Sequence, residues 1–507
     1  MENLEHQAST LFAAKEFAKA LEIYQLLFKG NPQNEQYAIA CGNCYDATGN
    51  KEDAVYCYRE ALRINRCSEA ALLNLSTIYY ELKKYDLSEE YALKVLKIND
   101  TNVAAWQNLA NIAFCNAHYD DAMFYYQKMY NNNPNSYIAM INMANTYYCM
   151  GKYVLALDFA KKSLQRHPSS VNAYILAGNS LCALGKYEKA IDMYSGALDL
   201  DADNPELLNS LSEAYRNVND WEQALLYGWK FLKTKGNDED AAHLNFGYLL
   251  YECYCEKSQD MAKKFALKWM KFFPDNSIAL HTGNALLGKT SVQSLTPDFI
   301  KKTFDYFAQD FEKTLSDLEY QAPTLIFNIL RDNFKTSFFT RYHILDLGCG
   351  TGLCGEKIKD IAFWHSIIGV DLSEKMLDIA RNKNIYAHLI CDDICSYMEN
   401  SCNLFHIITA ADVLTYFGDL TKVFVRISRS LLPEGVFAFT FSENEQNSDD
   451  FLLAPSGRFI HSPTYVEKVL KSAGLRLISW ERCILRNEAE IPVYGYVAIA
   501  QKPRAAG

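Results

Sequence analysis

A chain of 507 residues is too long for one ordinary hydrophobic core and predicts at least two domains. With 49% hydrophobic and 22% charged residues it has the make-up of a folded protein in water, and no stretch approaches the roughly 18 apolar residues of a membrane span. Fifty basic against 61 acidic residues leave a net charge of −11, and without a Lys/Arg cluster that balance weighs against a nucleic-acid partner.

The first residues, MENLEHQAST, lack the basic and apolar regions of a signal peptide, so a cytoplasmic location is expected. The 15 cysteines are odd in number and scattered, which reads as reduced thiols rather than a disulfide framework. Cys41 and Cys44 form a lone CxxC. No second pair follows at zinc-finger spacing, so they are read as small core residues and no metal site is expected.

A 34-residue beat then governs the first half. Ala20, Ala54, Ser88, Ala122, Ala156, Ala190 and Ala224 recur in phase, preceded by an aromatic at Phe17, Tyr85, Tyr119, Tyr153, Tyr187 and Trp221 and followed by Tyr24, Tyr58, Tyr126 and Tyr194. Each unit reads as two amphipathic helices around a turn, as at Gly185. This resembles the tetratricopeptide (TPR) family in seven regular units to residue 238, with a looser pair and a half unit reaching about 288. The resemblance implies an α-solenoid whose groove takes a protein or peptide partner. Asn74, Asn108 and Asn142 at the sixth place of their units, and Asn43, Asn111, Asn145 and Asn179 at the ninth, fall on the groove-lining helix. An amide pairs with a peptide N–H and C=O together, so this ladder is expected to hold a peptide backbone; ordinary groove solvation is the alternative.

From residue 289 the beat stops, and residues 289–340 read as a linker and a helical lid segment before a second domain at 341–507. Its first strand, YHILDL, runs into Gly348, Cys349, Gly350, Thr351 and Gly352 and then a helix. That is the strand, glycine turn and helix of a doubly wound nucleotide-binding sheet. A second strand ends in Asp371, where an acid can accept both ribose hydroxyls.

D-L-G-C-G-T-G and G-V-D-L-S at this separation resemble the class I S-adenosylmethionine (SAM) methyltransferases, which implies a Rossmann-like α/β fold, SAM as cofactor and transferase activity. The resemblance places Asp346 and the turn of Gly348, Cys349, Gly350 and Gly352 at the methionine end. Asp371, Leu372 and Met376 fall at the ribose and adenine, and Asp393 with Ile394 and Ala410 complete the set. Asp393 is equally a helix N-cap, and Asp392 competes with it. FDYFAQDFEKTLSDLEYQAP, AADVLTYFGDL, SGRFIHSPTYV and LRNEAEIPVYGY extend the likeness to predicted bacterial methyltransferases that carry TPR repeats; Glu312 stands where that pattern has Asp.

The fourth strand ends in A-A-D-V, without the [DN]-P-P-[YF] turn used on amide and base nitrogens, and no glutamate pair is placed for a guanidinium. The acceptor is then a carboxylate, amine, hydroxyl or carbon acid, with a protein recruited by the repeats as the leading reading. The alternatives are a small carboxylic acid, with the repeats serving oligomerisation, and a SAM-binding scaffold that transfers nothing. The acceptor pocket is expected among the strand-four turn, a lid of Phe304, Phe307 and Tyr320, and the loop of Arg458, Phe459, His461 and Tyr465. Arg458 and Arg486 would orient an anion, His461 or Asp412 would take a proton, and Tyr416 and Tyr465 would hydrogen-bond the acceptor. Arg458 and Glu488 tying the loop down is the plainer reading of that pair.

Overall fold

The computed structural model describes residues 2–256, 258–289, 293–335, 340–361, 365–445, 450–488 and 491–504. The chain forms two compact units, Met1–Asp220 and Trp221–Gly507. No helix among the described residues is long and apolar enough to cross a membrane.

Unit 1 is a run of antiparallel helix pairs of 12–14 residues, as in Glu35–Ala47 with Lys51–Ile64 and Val171–Ala183 with Tyr187–Leu198. Asn34, Asn102, Ser136, Ser170 and Asn204 cap the first helices by accepting from backbone N–H groups two or three residues on. The small residues of the 34-residue beat are sealed inside: Ala20, Ala54, Ser88, Ala122, Ala156 and Ala190 have no exposed surface. Cys41 and Cys44 are buried in the same way, and burial pushes their thiols up to about 12 and about 11.

Most of the asparagine ladder is tied into the solenoid itself. Asn43, Asn111 and Asn179 accept from the hydroxyls of Tyr58, Tyr126 and Tyr194, each 15 residues on, at 2.9, 2.7 and 2.6 Å. Asn74 donates to Asn43, and buried Asn108 donates to Ser76 and Thr77 of the preceding unit. Asn145 is exposed and Asn142 half-buried. Five of the seven amides thus give one end to bonds within or between repeats, so the ladder also serves the solenoid's own structure.

In unit 2 the helices Trp221–Lys235, Asp240–Cys255, Gln259–Phe272 and Ser277–Leu286 continue the helical pattern. The last of them is bonded to later parts of the chain: His281 Nε2 donates to the Gly457 carbonyl at 2.8 Å, and Ser277 donates to Asp298 at 2.6 Å. The break in compactness at 220 thus precedes the end of the sequence periodicity near 288, because these last helices bury their faces against the α/β domain.

That domain is a seven-stranded sheet of β1 (Tyr342–Leu347), β2 (His365–Asp371), β3 (His388–Cys391), β4 (Phe405–Ala410), β5 (Leu431–Ser442), β8 (Arg476–Glu488) and β9 (Ile491–Gln501), in the order β3-β2-β1-β4-β5-β9-β8. β1 to β5 pair in parallel, and β9 runs antiparallel to both its neighbours. A two-stranded hairpin, β6 (Phe451–Leu453) with β7 (Phe459–His461), stands beside it. One sheet face packs on helices Thr421–Ser430 and Pro463–Ser472 through Phe424, Ile427, Val466 and Leu470; the other packs on Ala322–Asn333 and Leu353–Ile358 through Ile326, Leu330 and Ile358. This three-layer arrangement opens crevices at the carboxyl ends of the parallel strands.

Packing in unit 1 gives a first expected outcome. A Cβ at Gly178 would fall inside the Tyr194 ring, whereas one at Gly30 meets nothing. Gly178→Ala should lower stability by about 1–3 kcal/mol through overpacking, despite better helix propensity, and Gly30→Ala should be neutral or better. Urea unfolding of the two variants checks this.

Candidate functional site

A cavity opens where β1, β2, β3 and β4 end. Its space, open mouth included, is about 970 Å³. The floor is the glycine turn. Gly348, Gly350 and Gly352 all have positive φ, at 60°, 54° and 91°, which side-chain-bearing residues rarely adopt. A Cβ on Gly350 would meet only Phe311, at 3.8 Å, so its open side leaves room for a ligand against the backbone.

Asp371, at the end of β2, clamps this turn. Its Oδ2 accepts from Gly350 N and its Oδ1 from Ser373 N, both at 2.9 Å. Burial raises its pKa, opposed by those backbone bonds. A carboxylate oxygen has two lone pairs, so each oxygen keeps capacity for a further donor from the cavity. Asp393 caps helix Ile394–Asn400, its Oδ1 accepting from Cys395 N and Ser396 N, while Asp392 Oδ1 accepts from Asp393 N.

The upper walls are apolar and aromatic. Helices Pro297–Phe307 and Phe311–Asp317 bring Ile300, Phe304, Phe311 and Leu315 over the turn, joined by Tyr320, Tyr416 and Phe417. Phe304 meets Phe311 and Tyr416 edge-on at 5.9 and 5.6 Å. The lid is pinned polar-side by Ser373 donating to Asp305 at 2.6 Å and by Lys383 pairing with Glu312 at 2.7 Å.

The far wall is charged. Arg458 Nη1 lies 3.2 Å from Asp412 and 3.6 Å from Glu488. Arg486, 2% exposed, gives Nη1 to both Asp412 oxygens at 3.2 and 3.1 Å and Nε to Glu488 at 2.7 Å. Burial opposes ionisation of Glu488, but Arg486 and Arg458 hold its carboxyl below the usual range. Among the described residues Arg458 is the cation that lines the cavity.

Of the residues expected from sequence, Gly348, Cys349, Gly350, Asp371, Leu372, Asp393, Ile394, Asp412 and Arg458 line this cavity together. Others lie behind it. Asp346 is 1% exposed, with its oxygens taken by Tyr386 Oη and Thr409 Oγ1 at 2.7 Å each, and burial pushes it up to about 6. Gly352, Met376 and Ala410 support the walls from outside the lining.

His461 and Tyr465 do not face the acceptor side. His461 has no exposed surface, and its Nε2 donates to the carbonyls of Phe417 and Gly418 at 2.8 and 3.1 Å. Tyr465 donates to Asp419 and accepts from Leu420 N. His461 ties the loop after β4 to the hairpin, and Tyr465 ties it to the last helix. Phe307 turns to Tyr248 instead of the cavity. Sequence reasoning missed Phe311, which opens the helix after the one that carries Phe304 and so shares no helical face with it. It also missed Tyr386, which nothing in the sequence flags.

A methyltransferase-domain family matches residues 344–435. Tetratricopeptide families match 38–66, 69–102 and 178–218, and the anaphase-promoting complex subunit 3 family matches 116–197. A ubiquinone biosynthesis O-methyltransferase of Coxiella burnetii is 29% identical over 158 residues, 27% of this chain and 64% of that enzyme. A demethylmenaquinone methyltransferase of Leptospira interrogans is 24% identical over 145 residues, 27% of this chain and 58% of that one. The chain thus spans about three-fifths of the length of these curated relatives. Among solved structures, the TPR protein YrrB covers 36% of this chain and 95% of its own at 19% identity and a TM-score of 0.32. A SAM-dependent methyltransferase from Methanosarcina mazei covers 35% and 97% at 15% identity and 0.29. This is a TPR-containing chain with a class I methyltransferase domain.

The buried histidines set an acid limit. Burial lowers His461 and His281 to about 4, against about 6.5 when unfolded. Between those values the unfolded chain binds more protons, so stability present above pH 6.5 is lost as pH falls toward 4, by roughly 1.4 kcal/mol per unit for each ring. Urea midpoints at pH 7 and pH 5 should show the drop, and His461→Gln, which keeps a donor, should flatten it by about one proton.

Proposed function

We propose that the chain transfers a methyl group from SAM to an ionised carboxyl group held by Arg458. The single observation that carries this is the polarity of the cavity wall: among the described residues, the guanidinium of Arg458 lines it beside Asp412, and the other lining carboxylates are those assigned to the cofactor, Asp371 and Asp393. Asp412 is locked between two arginines, and His461 donates its one N–H away from the cavity. A carboxylate needs orientation and no deprotonation, whereas an amine or a neutral hydroxyl needs a base within reach.

The residues fit the cofactor. Asp371 would take the ribose hydroxyls, the turn at Gly348–Gly350 the amino-acid end, and Asp393 with Ile394 the base. When bound, SAM supplies an electrophilic methyl on a sulfonium. Phe304, Phe311, Tyr320 and Tyr416 enclose the space above the turn; their ring faces suit a cation and their bulk excludes water. Arg458 offers paired N–H donors that match a carboxylate. The relatives named for quinone biosynthesis act on small molecules, which supports an acceptor small enough to enter an enclosed cavity.

The test is transfer of labelled methyl from SAM to a lysate by the full-length protein, followed by mild alkali. Label released as methanol is expected for a methyl ester; alkali-stable label overturns the reading. Arg458→Met should lose turnover at least a hundredfold, while His461→Gln should keep it at pH 7.5. A large, pH-dependent loss in His461→Gln would instead restore the general base.

A second reading places the carboxyl on a polypeptide recruited by the repeats. It is favoured by Asn145, which is exposed, and its half-buried neighbour on the ladder, Asn142. Replacing both by Ala should raise the KM for a polypeptide acceptor at unchanged kcat, the mark of lost ground-state binding. Unchanged kinetics would leave the repeats without that role.

A further inference from the structure

Arg458 also lines a second cavity, of about 720 Å³ with its open mouth included, which no step above uses. One wall is helix Asp240–Cys255, through Tyr251 and Tyr254; the opposite wall is Ser442 of β5, Ala454 and Ile460 of the hairpin, and Val493 of β9. Resting on the carboxylate reading above, we propose that this second cavity holds the body of the acceptor, and that the acceptor carries an amide beside its carboxyl group.

Three observations point there. First, the cavity above the turn is the one proposed for the cofactor, and Arg458 lines both it and the second cavity. Second, Glu488 is bound firmly by Arg486 at 2.7 Å but stands 3.6 Å from Arg458. A carboxylate arriving at Arg458 therefore competes with a loose partner while Arg486 keeps its own. Third, Ser442 on the cavity wall is 2% exposed, and its hydroxyl has no hydrogen-bond partner in the structure. Leaving a buried hydroxyl unpaired is costly. A hydroxyl donates and accepts, and an amide supplies the matching C=O and N–H. The phenol rings of Tyr251 and Tyr254, with Ile460 and Val493, offer the apolar surface for a side chain next to that amide.

An amide beside a carboxylate is shared by N-acyl amino acids and by the C-terminus of a polypeptide. Binding to the full-length protein saturated with S-adenosylhomocysteine is measured by calorimetry for N-acetylphenylalanine, for an acetylated hexapeptide ending in Phe, and for 3-phenylpropanoate, which lacks the amide. N-acetylphenylalanine should bind about tenfold tighter than 3-phenylpropanoate, as expected for an amide hydrogen-bonded in a buried site. Ser442→Ala should remove most of that advantage, and Val493→Trp, which fills the cavity, should remove it altogether. Tighter binding of the hexapeptide than of N-acetylphenylalanine assigns the polypeptide source, and equal or weaker binding the small acid. Equal affinity for both acids, or an amide advantage unmoved in Val493→Trp, overturns the subsite and leaves the carboxylate reading standing if Arg458→Met still abolishes binding. Absence of binding by either acid overturns both.

Discussion

The charged wall of the cavity is organised around one carboxylate. Asp412 follows β4 with a φ of +59°, and its backbone N–H is held by Thr440 on the neighbouring strand. In that position it faces Arg486, almost wholly buried, and Arg458 of the β6–β7 hairpin. Removing one partner of a buried pair leaves an uncompensated charge at a cost of about 3–5 kcal/mol. The loop after β4, the hairpin and β8 are therefore fixed relative to one another by electrostatics as much as by packing. The same constraint leaves a guanidinium, Arg458, on the cavity wall, and the proposed carboxylate acceptor rests on that cation.

In the repeats the recurring tyrosines and asparagines form one device. Where the second helix carries Tyr58 or Tyr194, the facing first helix has Gly42 or Gly178 under the ring and Asn43 or Asn179 accepting from the phenol. Where that place is Ala92 or Ala160, the facing residues are Ser76 and Ala144, and all four are buried. In the third tyrosine unit buried Ala110 takes the glycine's place beside Tyr126. The hydrogen bond satisfies a phenol buried deeply enough to push its pKa far above the ordinary value.

What was legible in the sequence is what local rules dictate. The helix pairs follow from a period and from caps. The turn after β1 follows from three glycines that must take positive φ, and the place of Asp371 from the length of one strand, helix and strand. The asparagines and the loop residues were harder to read. Their side chains are aimed by neighbours distant in sequence: His461 toward the carbonyls of residues 417 and 418, Tyr465 toward Asp419, Asn108 toward the preceding repeat. A polar residue near a site looks the same in sequence whether it faces the ligand or braces the loop behind it, and only the tertiary hydrogen bond separates the two. Asp346 shows this inside the motif itself, where Tyr386 and Thr409 occupy it.

The end of the sequence periodicity and the edge of the compact unit fall in different places, and that changes how the repeats can be separated from the chemistry. Helix Asp240–Cys255 belongs to the periodic pattern, yet it braces the lid through Asp240 with Lys302, Asn245 with Tyr306 and Tyr248 with Phe307. Its next turns carry Tyr251 and Tyr254 into the wall of the second cavity. A chain cut at 289, where the beat stops, would strip the lid of these partners. Loss of activity in such a fragment would report a broken lid and say nothing of recruitment. A cut between Asp220 and Trp221, the boundary of the two units, keeps helix Asp240–Cys255 and its bonds to the lid, so the proposed recruitment by the repeats is tested there with those partners in place.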